Sequence, residues 1–138
     1  MNQTLILYPM LTLVGWTMLV LAMVGMRRVG ATQARLVRAE DFALGESAAV
    51  PPAVTLPNRN FMNLMEVPVL FYVVSLTFYV THQVTGAALL LAWTFVALRA
   101  AHSLVHLTYN KVLHRLGFFA TANFVLVALW VHLLLRLA

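Results

Sequence analysis

Four stretches of this chain are long and apolar enough to cross a bilayer, and each carries at most one Asp, Glu, Lys or Arg side chain. A membrane-spanning helix needs about 20 consecutive apolar residues. The predicted helices cover about residues 5–26, 61–80, 86–107 and 116–135. Little of the 138-residue chain is left over, so there is no room for a separate soluble domain. We therefore expect an all-α fold, an integral-membrane four-helix bundle, as a single domain over residues 1–138.

The composition agrees with a membrane protein and excludes several site chemistries. Hydrophobic residues make up 62% of the chain and charged residues 9%, whereas a soluble domain is more polar. The first apolar stretch has no basic segment before it and is too long for a signal peptide, so we interpret it as a retained helix. The absence of cysteine excludes disulfides and thiolate sites, so any thiol must arrive with a ligand. The net charge of +5 predicts contact with membrane lipids, with no need for nucleic acid as a partner.

The Lys and Arg residues outside the apolar stretches predict the orientation in the membrane. The long first loop, about residues 27–60, carries Arg27, Arg28, Arg35, Arg38 and Arg59. The third connection carries Lys111 and Arg115, the turn at 81–85 carries none, and the C-terminus has only Arg136. By the positive-inside rule, the first and third connections face the cytoplasm and both termini face the outer side. The compact chain without sorting tails predicts a bacterial inner membrane.

Local signals predict where the connections begin and end. Residues 31–40 are good helix formers, so we expect the first helix to continue past the membrane, with Pro51 and Pro52 as a stop. Asn58 follows Pro57 and is the predicted N-cap of the second helix. The turns at 81–86 and 110–115 are short, which predicts that helices two and three, and three and four, are antiparallel neighbours.

Polar side chains form a stripe on each of two predicted helices. On the second helix the stripe comprises Arg59, Asn63 and Glu66, and on the third it comprises Arg99, His102 and His106, with Ser103 alongside. Glu66 and Arg99 both lie roughly 12 Å inside the predicted cytoplasmic end of their helix, from a rise of about 1.5 Å per residue. Because an opposite charge is the cheapest partner for a buried ion, we expect Glu66 and Arg99 to pair.

Two interpretations of these stripes remain open from the residues alone. One is a structural salt bridge that orients helices two and three. The other is a binding site for an anionic, peptide-like or phosphate-bearing ligand, because the stripes run to a cytoplasmic mouth rich in Lys and Arg. A metal site on His102 and His106 is not expected, because the nearest carboxylate is committed to Arg99 and there is no cysteine.

Two motifs within these stripes resemble those of the MAPEG family, the membrane-associated proteins in eicosanoid and glutathione metabolism. The sequence RNFMNLMEVP at 59–68 is similar to the family's R-x-x-x-N-x-x-E pattern near the start of the second helix. The sequence RAAHS at 99–103 is similar to R-x-x-H-[ST] on the third helix, with Arg115 at the position of a later family arginine. The resemblance spans nearly the whole chain.

The resemblance implies a homotrimer that binds glutathione, as a co-substrate, between protomers near the cytoplasmic face. The residues that it implies for the glutathione site are Arg59, Asn63, Glu66, Arg99, His102, Ser103, His106 and one or both of Arg27 and Arg28. Family enzymes activate the glutathione thiol as a thiolate against a lipophilic electrophile or peroxide, and Arg115 is the candidate catalytic residue. The implied function is a membrane-embedded glutathione-dependent transferase or peroxidase.

Differences from the family pattern favour one alternative function. His106 stands where glutathione-using members often have Tyr, Met62 replaces a basic residue, and Leu116 and Phe119 replace hydroxyl residues of the best-known synthase. The alternative is a non-catalytic member that binds lipid or scaffolds a partner protein.

A small proton-coupled multidrug transporter is a further alternative, because four helices and one membrane carboxylate also suit it. Against it, Arg99 would keep Glu66 ionised, and such transporters carry their carboxylate in the first helix.

Overall fold

The computed structural model describes residues 1–43 and 45–138, and these form helices and no β-strand. The five α-helices are α1 (Leu7–Gln33), α2 (Pro52–Met65), α3 (Pro68–Val80), α4 (Gly86–Leu107) and α5 (Val112–Leu137), with 3-10 turns at Gln3–Ile6 and Ala39–Phe42. Counting α2 and α3 together, four helical units are long and apolar enough to cross a membrane. The all-α fold with four spans is therefore confirmed, and the chain is an integral membrane protein.

Large apolar side chains fill the space between the helices. Phe71 of α3 and Phe95 of α4 are fully buried, and their rings stack with centroids 4.6 Å apart. Leu13 of α1 and Leu129 of α5 belong to the same core. The outer surface is equally apolar, with Phe124 75% exposed. Exposed apolar side chains all around a bundle of this kind are suited to contact with lipid.

Helix α4 packs most extensively against α5, and also against α1 and α2. The short predicted turn between helices three and four therefore joins antiparallel neighbours, as expected. By contrast, the α3 and α4 backbones lie farther apart, and large side chains such as Phe71 and Phe95 fill the gap. The predicted neighbour relation of helices two and three thus holds best for the α2 part of the second spanning unit.

The second spanning unit begins earlier than the sequence indicated. Pro51 is the N-cap of α2, Pro52 occupies its first turn, and Pro57 and Asn58 lie inside the helix. The N-cap predicted at Asn58 is therefore wrong. Proline is favourable at the first helical position, and an internal proline removes only one backbone hydrogen bond and strains one carbonyl. Burial of Val54 against the end of α1 helps to offset that cost.

The same unit is interrupted where a continuous helix was predicted. Helix α2 ends at Met65 and α3 begins at Pro68, with Glu66 at backbone angles φ −84° and ψ −94° between them. Pro68 has no N–H to donate, and its ring would clash with the carbonyl of Leu64. The interruption thus breaks the helical backbone at Glu66, the last residue of the polar stripe on this unit.

The first connection has a small core and polar contacts of its own. Helix α1 ends at Gln33, short of residue 40, because Arg35 adopts a left-handed φ of 57° and the chain turns back. Two hydrogen bonds of 2.9 Å reach the Asp41 carboxylate, from the Arg38 backbone N–H and from the Ser47 hydroxyl. Both bonds favour the charged form and lower the pKa of Asp41 below its usual value of 3.8. The connection is thus ordered by local polar contacts as well as by apolar packing.

Candidate functional site

A cavity of about 230 Å³ lies where α2, α4 and α5 meet, beside the turn between α4 and α5. Its lining residues are Asn63, His102, Val112, Arg115, Leu116 and Phe119. Three of the residues predicted for the site, Asn63, His102 and Arg115, therefore come together from three helices. Val112 and Leu116 are exposed on the surface of α5, so the cavity joins a polar wall to an apolar one.

Arg115 is held at the cavity by the turn that precedes it. Its Nη1 donates a 2.8 Å hydrogen bond to the Asn110 side-chain oxygen, while its buried Nε has no partner among the described residues. Asn110 lies in the turn after α4 in a left-handed conformation with φ 48°, which Asn tolerates better than most residues. Arg115 also lies in the first turn of α5, where the helix dipole adds positive potential. The charge of Arg115 and the helix dipole both favour an anion in the cavity.

His102 and His106 lie on one face of α4, with ring centroids 6.0 Å apart and ring planes tilted by 34°. His102 is 3% exposed and lies against Phe119 across the cavity wall. His106 lies one turn further toward the C-terminal end of α4, is fully buried, and has no partner for Nδ1 among the described residues. Within that part of the chain, no group of three or more His, Cys, Asp or Glu side chains is arranged to hold a metal ion.

Ser103 belongs to the interior of the bundle and does not line the cavity. Its hydroxyl oxygen accepts hydrogen bonds from Trp16 Nε1 of α1 (2.9 Å) and from Asn60 Nδ2 of α2 (2.6 Å). One serine thus joins three helices. The sequence reasoning missed Trp16 and Asn60, although a buried indole N–H needs an acceptor and a polar residue beside a charged stripe was a usable signal.

Arg99 is fully buried but does not pair with Glu66, so the predicted ion pair is wrong. Its Nη2 donates to the backbone carbonyl of Asn63, and its guanidinium carbon lies 5.7 Å from the centre of the Phe119 ring. Glu66 is exposed at the outer surface of the protomer. The reason is the interruption before Pro68, which turns Glu66 outward and leaves the Asn63 carbonyl free to accept from Arg99.

The remaining predicted site residues do not line the cavity within one protomer. Arg59 is exposed on α2, and Arg27 lines a separate hollow near the end of α1. Arg28 forms the one ion pair of the described residues, 3.4 Å from Glu46, and lies 4.8 Å from the Phe42 ring centre. Of the predicted arginines, Arg115 alone lines the cavity.

Comparison with known proteins identifies the family. The MAPEG family model matches residues 6–135, which is nearly the whole chain. No curated protein and no solved structure gives a significant match. The match covers all four spanning units and the connections between them, including every residue that lines the cavity. The chain therefore belongs to the MAPEG family, whose membrane proteins act in eicosanoid and glutathione metabolism.

Proposed function

We propose that this protein is a membrane-embedded, glutathione-dependent transferase or peroxidase that acts on lipophilic electrophiles. The observation that carries the proposal is the cavity between α2, α4 and α5. It brings Arg115, His102 and Asn63 together with the exposed apolar side chains Val112 and Leu116. A polar tripeptide from the cytoplasm and an apolar substrate from the membrane can meet in such a place.

Arg115 is the proposed catalytic residue because its charge favours the reactive form of the thiol. Thiolates, and not thiols, are the nucleophiles, and a neighbouring cation lowers the pKa of a thiol. In the transferase reaction the thiol proton leaves to solvent, the sulfur forms a bond to the electrophilic carbon, and the leaving group departs with the bonding electrons. With a peroxide, the thiolate attacks one oxygen and breaks the O–O bond, which leaves a sulfenic acid on glutathione and an alkoxide that takes up a proton to leave as the alcohol. A second glutathione then attacks the sulfenic acid, which gives the disulfide and water.

A homotrimer is part of the proposal because the cavity of a single protomer is small and open. Ligand sites for molecules of drug size are about 300–1,000 Å³, whereas this cavity measures about 230 Å³. Glu66 and Arg59 are exposed on the surface of the second spanning unit. An intramembrane carboxylate that faces lipid is costly, and a second copy of the chain would cover it. Those two side chains would then border glutathione between protomers.

The test is conjugation of glutathione to a chloronitrobenzene electrophile by the purified trimer. Replacing Arg115 by Ala should lower kcat by a factor of about 100 or more, as losing one electrostatic stabiliser does in other enzymes. The matched control is Arg136→Ala, which removes an arginine at the opposite end of α5 and should leave turnover unchanged. Equal turnover in native and Arg115→Ala trimers would contradict the assigned role.

One observation favours a second candidate function, a non-catalytic lipid-binding or scaffold protein. Leu116 and Phe119 make one wall of the cavity apolar where hydroxyl groups would assist catalysis. A folded protein that retains a lipid in the cavity, and shows no glutathione binding at millimolar concentration, would establish this candidate. The transporter alternative has less support, because Glu66 faces outward from the bundle and not into a shared interior.

A further inference from the structure

The interruption between α2 and α3 leaves a backbone acceptor unpaired in the interior. Because α2 ends at Met65, the carbonyl of Asn63 has no N–H partner within the helix. In a continuous helix, the N–H of Val67 would occupy that carbonyl. Pro68 is the residue that prevents continuation, since it lacks an N–H and its ring crowds the preceding turn.

Arg99 supplies the missing partner from α4. Its Nη2 donates to the Asn63 carbonyl, and the residue is 0% exposed. The carbonyl end of a helix carries the negative end of its dipole, so a cation is stabilised there. The guanidinium carbon also lies 5.7 Å from the Phe119 ring centre. Asn63 and Phe119 line the cavity, whereas Arg99 lies behind them.

We propose that Pro68 and Arg99 form one positioning device for the cavity. The proline opens the C-terminal end of α2, and the arginine caps that end and holds Asn63 and Phe119 in the cavity wall. Arg99 is then a positioning residue that acts through its neighbours and does not contact the ligand. The consequence for glutathione binding rests on the proposed function, but the cap itself does not.

The cap is tested by a double-mutant cycle on thermal unfolding in detergent. Arg99→Gln should lower the unfolding midpoint of the native chain because the Asn63 carbonyl loses its partner. In Pro68→Ala the helix can close from Val67 onto that carbonyl, so Arg99→Gln should then change the midpoint little or raise it. An equal fall in both backgrounds would overturn the cap. Pro57→Ala is the matched control, because Pro57 lies inside α2 and away from the interruption, and Arg99→Gln should keep its full effect there.

The positioning role is tested by titrating each folded variant with glutathione. Arg99→Gln should weaken binding by about 10–100-fold, the range seen when a residue that orients a ligating group is lost. Arg99→Lys should recover most of that loss, because an ammonium can donate to the same carbonyl. A lysine variant with a native midpoint that binds as weakly as Arg99→Gln would show direct contact with glutathione and overturn the positioning role. If the native protein binds no glutathione, the proposed function and the binding role of Arg99 both fail, while the unfolding cycle still decides the cap.

Discussion

At the scale of single residues, the period of the polar stripes identified the side chains that the cavity uses. Asn63 and His102 were found because polar groups in an apolar helix stand out, whereas Arg115 was found from the basic third connection and the family resemblance. Their partners could not be found in the same way. The acceptor of Arg99 is a backbone carbonyl, which every residue possesses, so no side-chain pattern announces it. Charge alone predicted Glu66 as the partner of Arg99, but Glu66 lies at the interruption of the backbone and is exposed.

Ser103 tests whether a predicted ligand residue has a structural role. Ser103→Ala removes the acceptor of two donors, Trp16 Nε1 and Asn60 Nδ2. Leaving buried donors unpaired costs about 1–3 kcal/mol each, so the free energy of unfolding should fall by that order. Unfolding in a denaturing detergent series measures the change. Glutathione affinity should change little in the folded fraction, and a selective loss of affinity at native stability would instead make Ser103 a ligand.

Asp41 gives the first connection a dependence on pH. Its pKa is lowered by hydrogen bonds from the Arg38 N–H and the Ser47 hydroxyl, so its folded value lies below the unfolded value of 3.8. The stabilisation is therefore present above pH 3.8 and is lost as the pH falls through the folded value. Limited proteolysis after Arg38 should become faster as the pH falls below 3.8. The Asp41→Asn variant should be cleaved fast at every pH. Ser47→Ala should show a weaker form of the same change.

At the scale of helices, the four spans could be predicted from the length and apolarity of their sequences, because a bilayer requires both of a spanning helix. The ends of the helices were predicted less accurately, because each end depends on tertiary contacts. Prolines 51, 52 and 57 indicated a loop, yet Val54 packs on the end of α1 and keeps the segment helical. Pro68 lies in an apolar run that indicated an unbroken helix. The helix stops there because the proline has no N–H and its ring would clash with the carbonyl of Leu64.

The turn between α4 and α5 carries a prediction for Asn110. Its side chain accepts from Arg115, and its backbone has a left-handed φ of 48°. Asn110→Gly can still adopt the left-handed backbone conformation and removes only the side-chain acceptor. The unfolding midpoint should therefore stay near native, while turnover falls about tenfold. Asn110→Ala adds backbone strain and should lower the midpoint as well. Native turnover in the glycine variant would mean that Arg115 needs no anchor.

At the scale of the whole molecule, the orientation relates the chain to the membrane, and the proposed trimer relates it to further copies of itself. The orientation is predicted from Lys and Arg counts, and the proposed trimer comes from the family resemblance, with the exposed Glu66 and the small cavity as support. Because the chain has no cysteine, single cysteines can report the orientation cleanly. Ser47→Cys should react with an impermeant maleimide only from the cytoplasmic side, and His82→Cys only from the outer side. Reversed labelling would place the first connection outside.

The central claim is that the cavity beside Arg115 binds glutathione, and calorimetric titration of the purified trimer tests it most directly. The native protein and Arg136→Ala should show the same saturable binding, one site for each cavity. Arg115→Ala, folded and trimeric, should bind at least tenfold more weakly, a loss of about 1.4 kcal/mol or more. Absent binding in the native protein, or equal affinity in all three, would contradict the claim.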